Sequence, residues 1–229
     1  MKKLCIILAL LLALCTLCAC PRAVEETATT GTTIPEPTTM DPALIEAYKP
    51  IQDELARLVR AKSDDNDAWE ALGINEVPYE FEEGSLGSAV KDINGDGIPE
   101  LLLLDKMNTG SQGQPFIYAL YTLKDREPVM LGQYWSRSRA HLDVDGRLFT
   151  VGSSSASSTY LDSYELRPGA SELTHLTQYY SDAGGNGKQF YVMVNQGRED
   201  PLSEHQFDTL VGLYENPAHL MRFEFIPAE

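Results

Sequence analysis

No cysteine follows position 20. All four, Cys5, Cys15, Cys18 and Cys20, stand in the opening stretch of a 229-residue chain, so the remainder has no disulfide, no thiolate nucleophile and no Cys-ligated zinc. Basic residues are scarce as well. Lys+Arg number 18 against 34 Asp+Glu, giving a formal charge of −16, and such a chain lacks the basic face that phosphate neutralisation needs, which excludes nucleic acid as a partner. The four histidines, His141, His175, His205 and His219, have no metal-binding spacing, and H-E-x-x-H and G-x-S-x-G are both absent. Gly184-Gly185-Asn186-Gly187-Lys188 lacks the first glycine of a phosphate loop, since Asp182 stands there, and Gln189 replaces its Ser/Thr. A glycine hairpin accounts for it better. What remains is 43% hydrophobic residues, too many for a wholly disordered chain and suited to one or two small domains.

The one long apolar run is at the amino terminus. Met1-Lys2-Lys3 is followed by Leu4 to Leu17, short of the roughly 20 residues a transmembrane helix needs, so the segment reads as an export signal. Leu17-Cys18-Ala19-Cys20 resembles the lipobox of bacterial lipoproteins, with Cys18 where another small residue is usual. That resemblance implies a signal peptide over residues 1–19 and lipidation of Cys20. The chain would then be exported and lipid-anchored on the outer face of the bacterial cytoplasmic membrane. The alternative is a plain cleaved signal and a free secreted protein. Residues 20–40 hold threonine, proline and three acids with almost no large apolar side chain, and read as a disordered tether.

A single domain is expected over residues 41–229. Asp41-Pro42 is a helix start, with an N-cap acid and proline at the first helical position. Leu44, Tyr48, Ile51, Leu55, Leu58 and Val59 then place one apolar stripe on a helix to about Lys62, kinked or divided at Pro50. Asp64-Asp65-Asn66-Asp67 reads as a solvated cap before a short helix around Trp69. From Val77 to about Asn195 the pattern changes to nine short β-branched and aromatic runs broken by turn residues. No long helices intervene, which argues for an antiparallel sheet and against a parallel one. Asp145-Gly146 marks a hairpin. Ser203 and Gln206 form a capping box before a last amphipathic helix through Phe207, Leu210, Val211 and Tyr214. The predicted class is α+β: a mainly antiparallel sheet, as a partial barrel or propeller-blade-like array, flanked by N-terminal and C-terminal helices.

One loop carries a specific chemical signal. Asp92-Ile93-Asn94-Gly95-Asp96-Gly97-Ile98-Pro99-Glu100 places oxygen-bearing side chains at positions 1, 3, 5 and 9, with glycine at 6. Alternate oxygens on a tightly curled backbone suit a hard cation that takes about 6–8 oxygen ligands. Asp92, Asn94, Asp96 and Glu100 would give side-chain oxygens and Ile98 its carbonyl, for one structural calcium ion of weak affinity, about 10⁻⁴–10⁻³ M. An EF-hand is excluded, because its twelfth position falls on Leu103, inside a four-leucine run better read as a buried strand. An Asx-rich turn with no ion is the alternative.

The loop resembles the D-x-[DN]-x-D-G-x-x-[DE] hairpin of FG-GAP and VCBS-like repeats. It is still more similar to the D-x-N-x-D-G-x-P-E-L signature of uncharacterised surface lipoproteins of Gram-positive bacteria. The close match spans Ala89–Leu104. The resemblance implies calcium binding and an extracellular location, and no catalytic activity. A propeller repeats its motif in each blade, whereas this chain has it once.

Tyr118, Tyr121, Tyr134, Trp135, Tyr160, Tyr164, Tyr179, Tyr180 and Tyr191 crowd the β region. Core and cross-strand packing is the ordinary role of such residues, and an exposed subset suits recognition of a glycan or an envelope protein. The expectation is a cell-surface lipoprotein with a calcium-stabilised binding or scaffolding domain. The alternative is an extracellular hydrolase acting on glycan or peptidoglycan, and no catalytic residue stands out for it. Oligomeric state is not written in the sequence.

Overall fold

The computed structural model describes residues 40–76, 81–109, 114–153, 155, 158–184, 187–214 and 216–229. The signal, Cys20 and all but the last residue of the tether lie outside them. Chain contacts divide after Pro37, and the fold is that of the unit Thr38–Glu229.

The amino-terminal stripe divides at Pro50 as its chemistry demands. Asp41 caps helix α1 (Pro42–Glu46), accepting from the Ala43 N–H at 2.9 Å. A second helix, α2 (Lys49–Ala61), then starts so that Pro50 sits in its first turn, where a missing N–H costs nothing. Lys62 closes it in the left-handed region at φ 44°. Helix α3 (Asn66–Ala71) is capped by Asp65, which accepts from Ala68 N–H at 3.1 Å, so the acidic run is a cap as expected.

Eleven strands form one antiparallel sheet. In chain order they are β1 (Leu86–Lys91), β2 (Glu100–Thr109), β3 (Pro115–Lys124), β4 (Glu127–Gln133), β5 (Ser138–Leu142), β6 (Leu148–Gly152), β7 (Tyr160–Leu166), β8 (Leu173–Gly184), β9 (Gly187–Val194), β10 (Glu199–Leu202) and β11 (Ile226–Pro227). The spatial order is β10-β9-β8-β7-β6-β5-β3-β2-β1-β11. Strand β3 forks, meeting β5 at Ile117↔Ala140 and β4 from Ala119 to Lys124. The nine expected runs all fall on strands, and β8 meets β9 at Gly184↔Gly187 as a glycine hairpin would.

The antiparallel sheet is as expected; it is open, and a partial-barrel or propeller-blade-like arrangement is not supported. Its end strands β10 and β11 each pair on one side alone. Nine short antiparallel runs look alike in an open and a closed array, because closure depends on the pairing of the outermost strands. The C-terminal helix also does not end the fold. Ser203 and Gln206 make their capping box, with Ser203 N–H to Gln206 Oε1 at 2.9 Å, before α4 (Glu204–Tyr214). The chain then returns along β5, where Met221 N–H reaches the Leu142 carbonyl at 2.8 Å, and finishes as β11 on β1. Buried Gln114 holds that return, donating to the Leu142 and Met221 carbonyls at 3.1 and 2.9 Å.

Alternation along β2 divides the core in two. Leu101 and Leu103 face Tyr48, Leu55, Leu58 and Trp69 of the helices, while Leu102 and Leu104 face the other way, among Ile117, Leu120, Leu142 and Met221. All four leucines are at most 1% exposed, so the run is a strand buried on both faces, the condition that favours continuous apolar sequence. At the far end, α4 lays Tyr214 on Phe149 and Phe207 near Phe190, with ring centroids 4.1 and 5.1 Å apart.

Candidate functional site

The β1–β2 loop is closed by its own side chains. Asp92 Oδ1 accepts from the N–H groups of Gly95 and Asp96 at 2.8 and 3.2 Å, and its Oδ2 from Gly97 at 2.9 Å. Asn94 Oδ1 shares the Asp96 N–H at 3.1 Å, which brings the Asp92 and Asn94 oxygens around one donor. Asp96 Oδ1 accepts from Ile98 N–H at 2.8 Å. Gly95 and Gly97 adopt φ 75° and 86°, conformations an L side chain rarely takes.

Two neighbouring hairpins lean on this loop. In the β5–β6 turn, Asp143 N–H donates to the Arg147 carbonyl at 3.0 Å, and Gly146 sits at φ 80°, as Asp145-Gly146 predicts. A Cβ on Gly146 would collide with the Ile93 carbonyl, so the turn touches the loop backbone directly. In the β7–β8 connection, Gly169 N–H donates to Asp96 Oδ2 at 2.7 Å across 73 residues of chain. Sequence offered no signal for that contact, since Gly169 follows Pro168 in an ordinary turn.

Glu100 is fully buried, with Oε2 accepting from Ile93 N–H at 2.9 Å and Oε1 from the Thr122 hydroxyl at 3.0 Å. Burial pushes its carboxyl up to about 7. The two hydrogen bonds oppose the shift, and the nearby Asp96 and Asp92 carboxylates add to it. Beside it the Tyr48 hydroxyl donates to the Pro99 carbonyl at 2.8 Å, and burial, followed by the Glu100 charge, raises its titration.

Asp92, Asn94 and Asp96 offer hard oxygen atoms of the type calcium takes, each with lone pairs beyond those the amides use, so the donor chemistry fits such an ion. Among the described residues no three His, Cys, Asp or Glu side chains gather closely enough to hold a metal unaided. A cation here would therefore depend on Asn94 and the Ile98 carbonyl as well as on the acids. Glu100 already braces the loop through Ile93 and Thr122.

A second feature is an open groove of about 980 Å³, lined by β4, by β7 and β8, and by parts of β5 and β6. Strand β2 occupies one edge of β3, so β4 and β5 share the other, and the free edge of β4 lies on the same side of β3 as β6, β7 and β8. Tyr160, Tyr164 and Tyr180 supply its aromatic surface, Tyr134 being a buried core residue at its margin, and six serines and threonines with Gln133 and Gln178 supply hydrogen-bonding groups. Two of the tyrosines lie over glycine, Tyr134 on Gly132 and Tyr160 on Gly152, where a Cβ would strike the ring hydroxyl. Burial raises the titration of the Tyr134 and Tyr164 hydroxyls. Tyr118 and Tyr121 belong to the core.

The groove holds three acids, Asp162, Glu172 and Asp182, and none of its described lining residues is Lys, Arg or His. Asp162 is tied to His175 at 3.0 Å. Glu172 and Asp182 bracket β8 ten positions apart, roughly 30 Å in an extended strand. Asp162 pairs with Gln178, four positions from Asp182, or roughly 13 Å. Both spacings exceed the about 5–9.5 Å across which two carboxyl groups attack a glycosidic bond.

No protein-family model matches the chain, and no curated protein matches it. Among solved structures, a Xanthomonas Type IV secretion system related protein is similar at 15% sequence identity and a TM-score of 0.29 over 55% of this chain. The chain spans 61% of the length of that structure. A likeness this distant carries no argument.

Proposed function

We propose that the domain is a binding module of the cell surface, with the tyrosine groove as its recognition face and the β1–β2 loop as a calcium-binding brace. The groove carries the reading: three half-buried tyrosines, Tyr160, Tyr164 and Tyr180, and a polar lining offer flat apolar surface and hydrogen bonds together, the chemistry of glycan or peptide recognition. The carboxylate spacing favours binding over hydrolysis by an acid pair. Export, the anchor at Cys20 and calcium at Asp92, Asn94, Asp96, Ile98 and Glu100 rest on the lipobox and loop resemblances.

A screen of glycans, cell-wall fragments and envelope peptides, run with calcium and with chelator, tests the recognition face. Binding that disappears in Tyr160→Ala and Tyr180→Ala supports the reading. Release of cleaved product would replace it with the hydrolase alternative. For the brace, calorimetry of the full chain should show calcium heat that Asp96→Ala removes; no heat up to about 10 mM, well above the weak range, rejects it. Lipid labelling that persists in Cys20→Ala rejects the anchor.

A further inference from the structure

Strand β4 lines the groove with four consecutive residues, Met130 to Gln133, and Tyr134 follows them. The β3–β4 register shifts between Gly132 and Met130, and this irregular stretch breaks the alternation of side chains, so consecutive residues of the strand meet the cavity. Among the described residues β3 is the strand that pairs with β4, through Ala119–Lys124, which leaves the opposite edge of β4 with outward N–H and C=O groups. Across the groove stand two exposed acids, Glu172 just before β8 and Asp182 within it, while Asp162 of β7 is buried against His175, and no basic residue is among the described lining. An edge of unpaired amides on one wall and two exposed carboxylates roughly 30 Å apart on the other specify an extended ligand with its own amides and positive charge.

We infer that the groove accepts a lysine- or arginine-rich peptide segment as an added β-strand along β4, with its cationic side chains reaching Glu172 and Asp182. This rests on the groove being the recognition face and names its ligand. The chain's own tether is a poor occupant, because Glu25, Glu26 and Glu36 would face those acids.

The test uses the full chain and a fluorescein-labelled peptide of alternating lysine and threonine, about ten residues long to match the groove. Binding read by anisotropy should weaken with salt. Glu172→Gln with Asp182→Asn, two exposed positions that leave the fold intact, should weaken it roughly five- to tenfold. A peptide with alternate backbone amides methylated should lose about tenfold or more, because it cannot complete the ladder. The glutamate-for-lysine peptide should not bind. Equal binding of the methylated peptide removes strand addition, and unchanged affinity in the double variant removes the charge match. If a neutral chitooligosaccharide binds in a Tyr160-dependent manner and the peptide does not, the recognition face stands and the peptide assignment fails. If neither binds, both fail.

Discussion

Strands β2 and β3 and strands β9 and β10 belong to one sheet and live in different environments. From Phe116 to Leu123 every residue of β3 is buried, because helices cover one face and the returning C-terminal segment helps cover the other. In β9 Phe190 alone is buried, and β10 is almost wholly exposed. Stability is thus concentrated around the four leucines, where removal of apolar area from water is complete. The outer half keeps Tyr160, Tyr164, Tyr180, Glu172 and Asp182 at least partly exposed along the groove. A domain divided in this way can vary the groove residues of its outer half with little penalty to its fold.

The comparison is broken most sharply at its buried end. Leu103→Ala should lose about 2–5 kcal/mol in denaturant unfolding, since Leu103 is 0% exposed and the packed strands around it cannot collapse into the space. A loss no larger than that of a β9 surface substitution would erase the distinction.

Glu100 sharpens it through pH. Its carboxyl titrates near 7 when folded against an ordinary 4.5, so between those values the native state holds a proton that the unfolded chain has released. Stability from this group is therefore greatest below about 4.5 and falls as pH rises to about 7, by roughly 3 kcal/mol in all. Glu100→Gln can keep both hydrogen bonds, accepting from Ile93 and donating to the Thr122 oxygen, without titrating. Relative to wild type the variant should gain by up to that amount between pH 5 and pH 8 in calcium-free unfolding experiments. A constant difference across the range would mean that the carboxyl is not buried in solution. If calcium occupies the loop, adding it should stabilise the ionised wild type and shrink the gap.

Gly146→Ala probes the contact between the β5–β6 turn and the loop. A left-handed φ of 80° and the obstructing Ile93 carbonyl together should cost about 1–3 kcal/mol in thermal unfolding. At the small end, Val194→Thr on β9, 54% exposed, should change stability by less than about 0.5 kcal/mol.

Where the signal is local, the sequence was readable. The proline-divided helices, the Ser203–Gln206 box, the Asp145-Gly146 turn and the leucine strand each follow from neighbours within four residues. Glu199–Leu202 has no alternation to mark it, and becomes β10 because β9 pairs with it. Openness of the sheet, the fork of β3 and the groove between β4 and β8 depend on pairings far apart in the chain. The loop shows both cases. Its oxygen pattern was visible, whereas the burial of Glu100 against Thr122 and the tie from Gly169 to Asp96 arise from segments 22 and 73 positions away.

The two outermost strands are both short, and both contain proline: Pro201 in β10 and Pro227 in β11. Neither can offer a full row of donors to another molecule's sheet. Growth of the sheet at its two ends is thereby blunted, which leaves, among the described residues, the longer edge of β4 as the place where another strand can add.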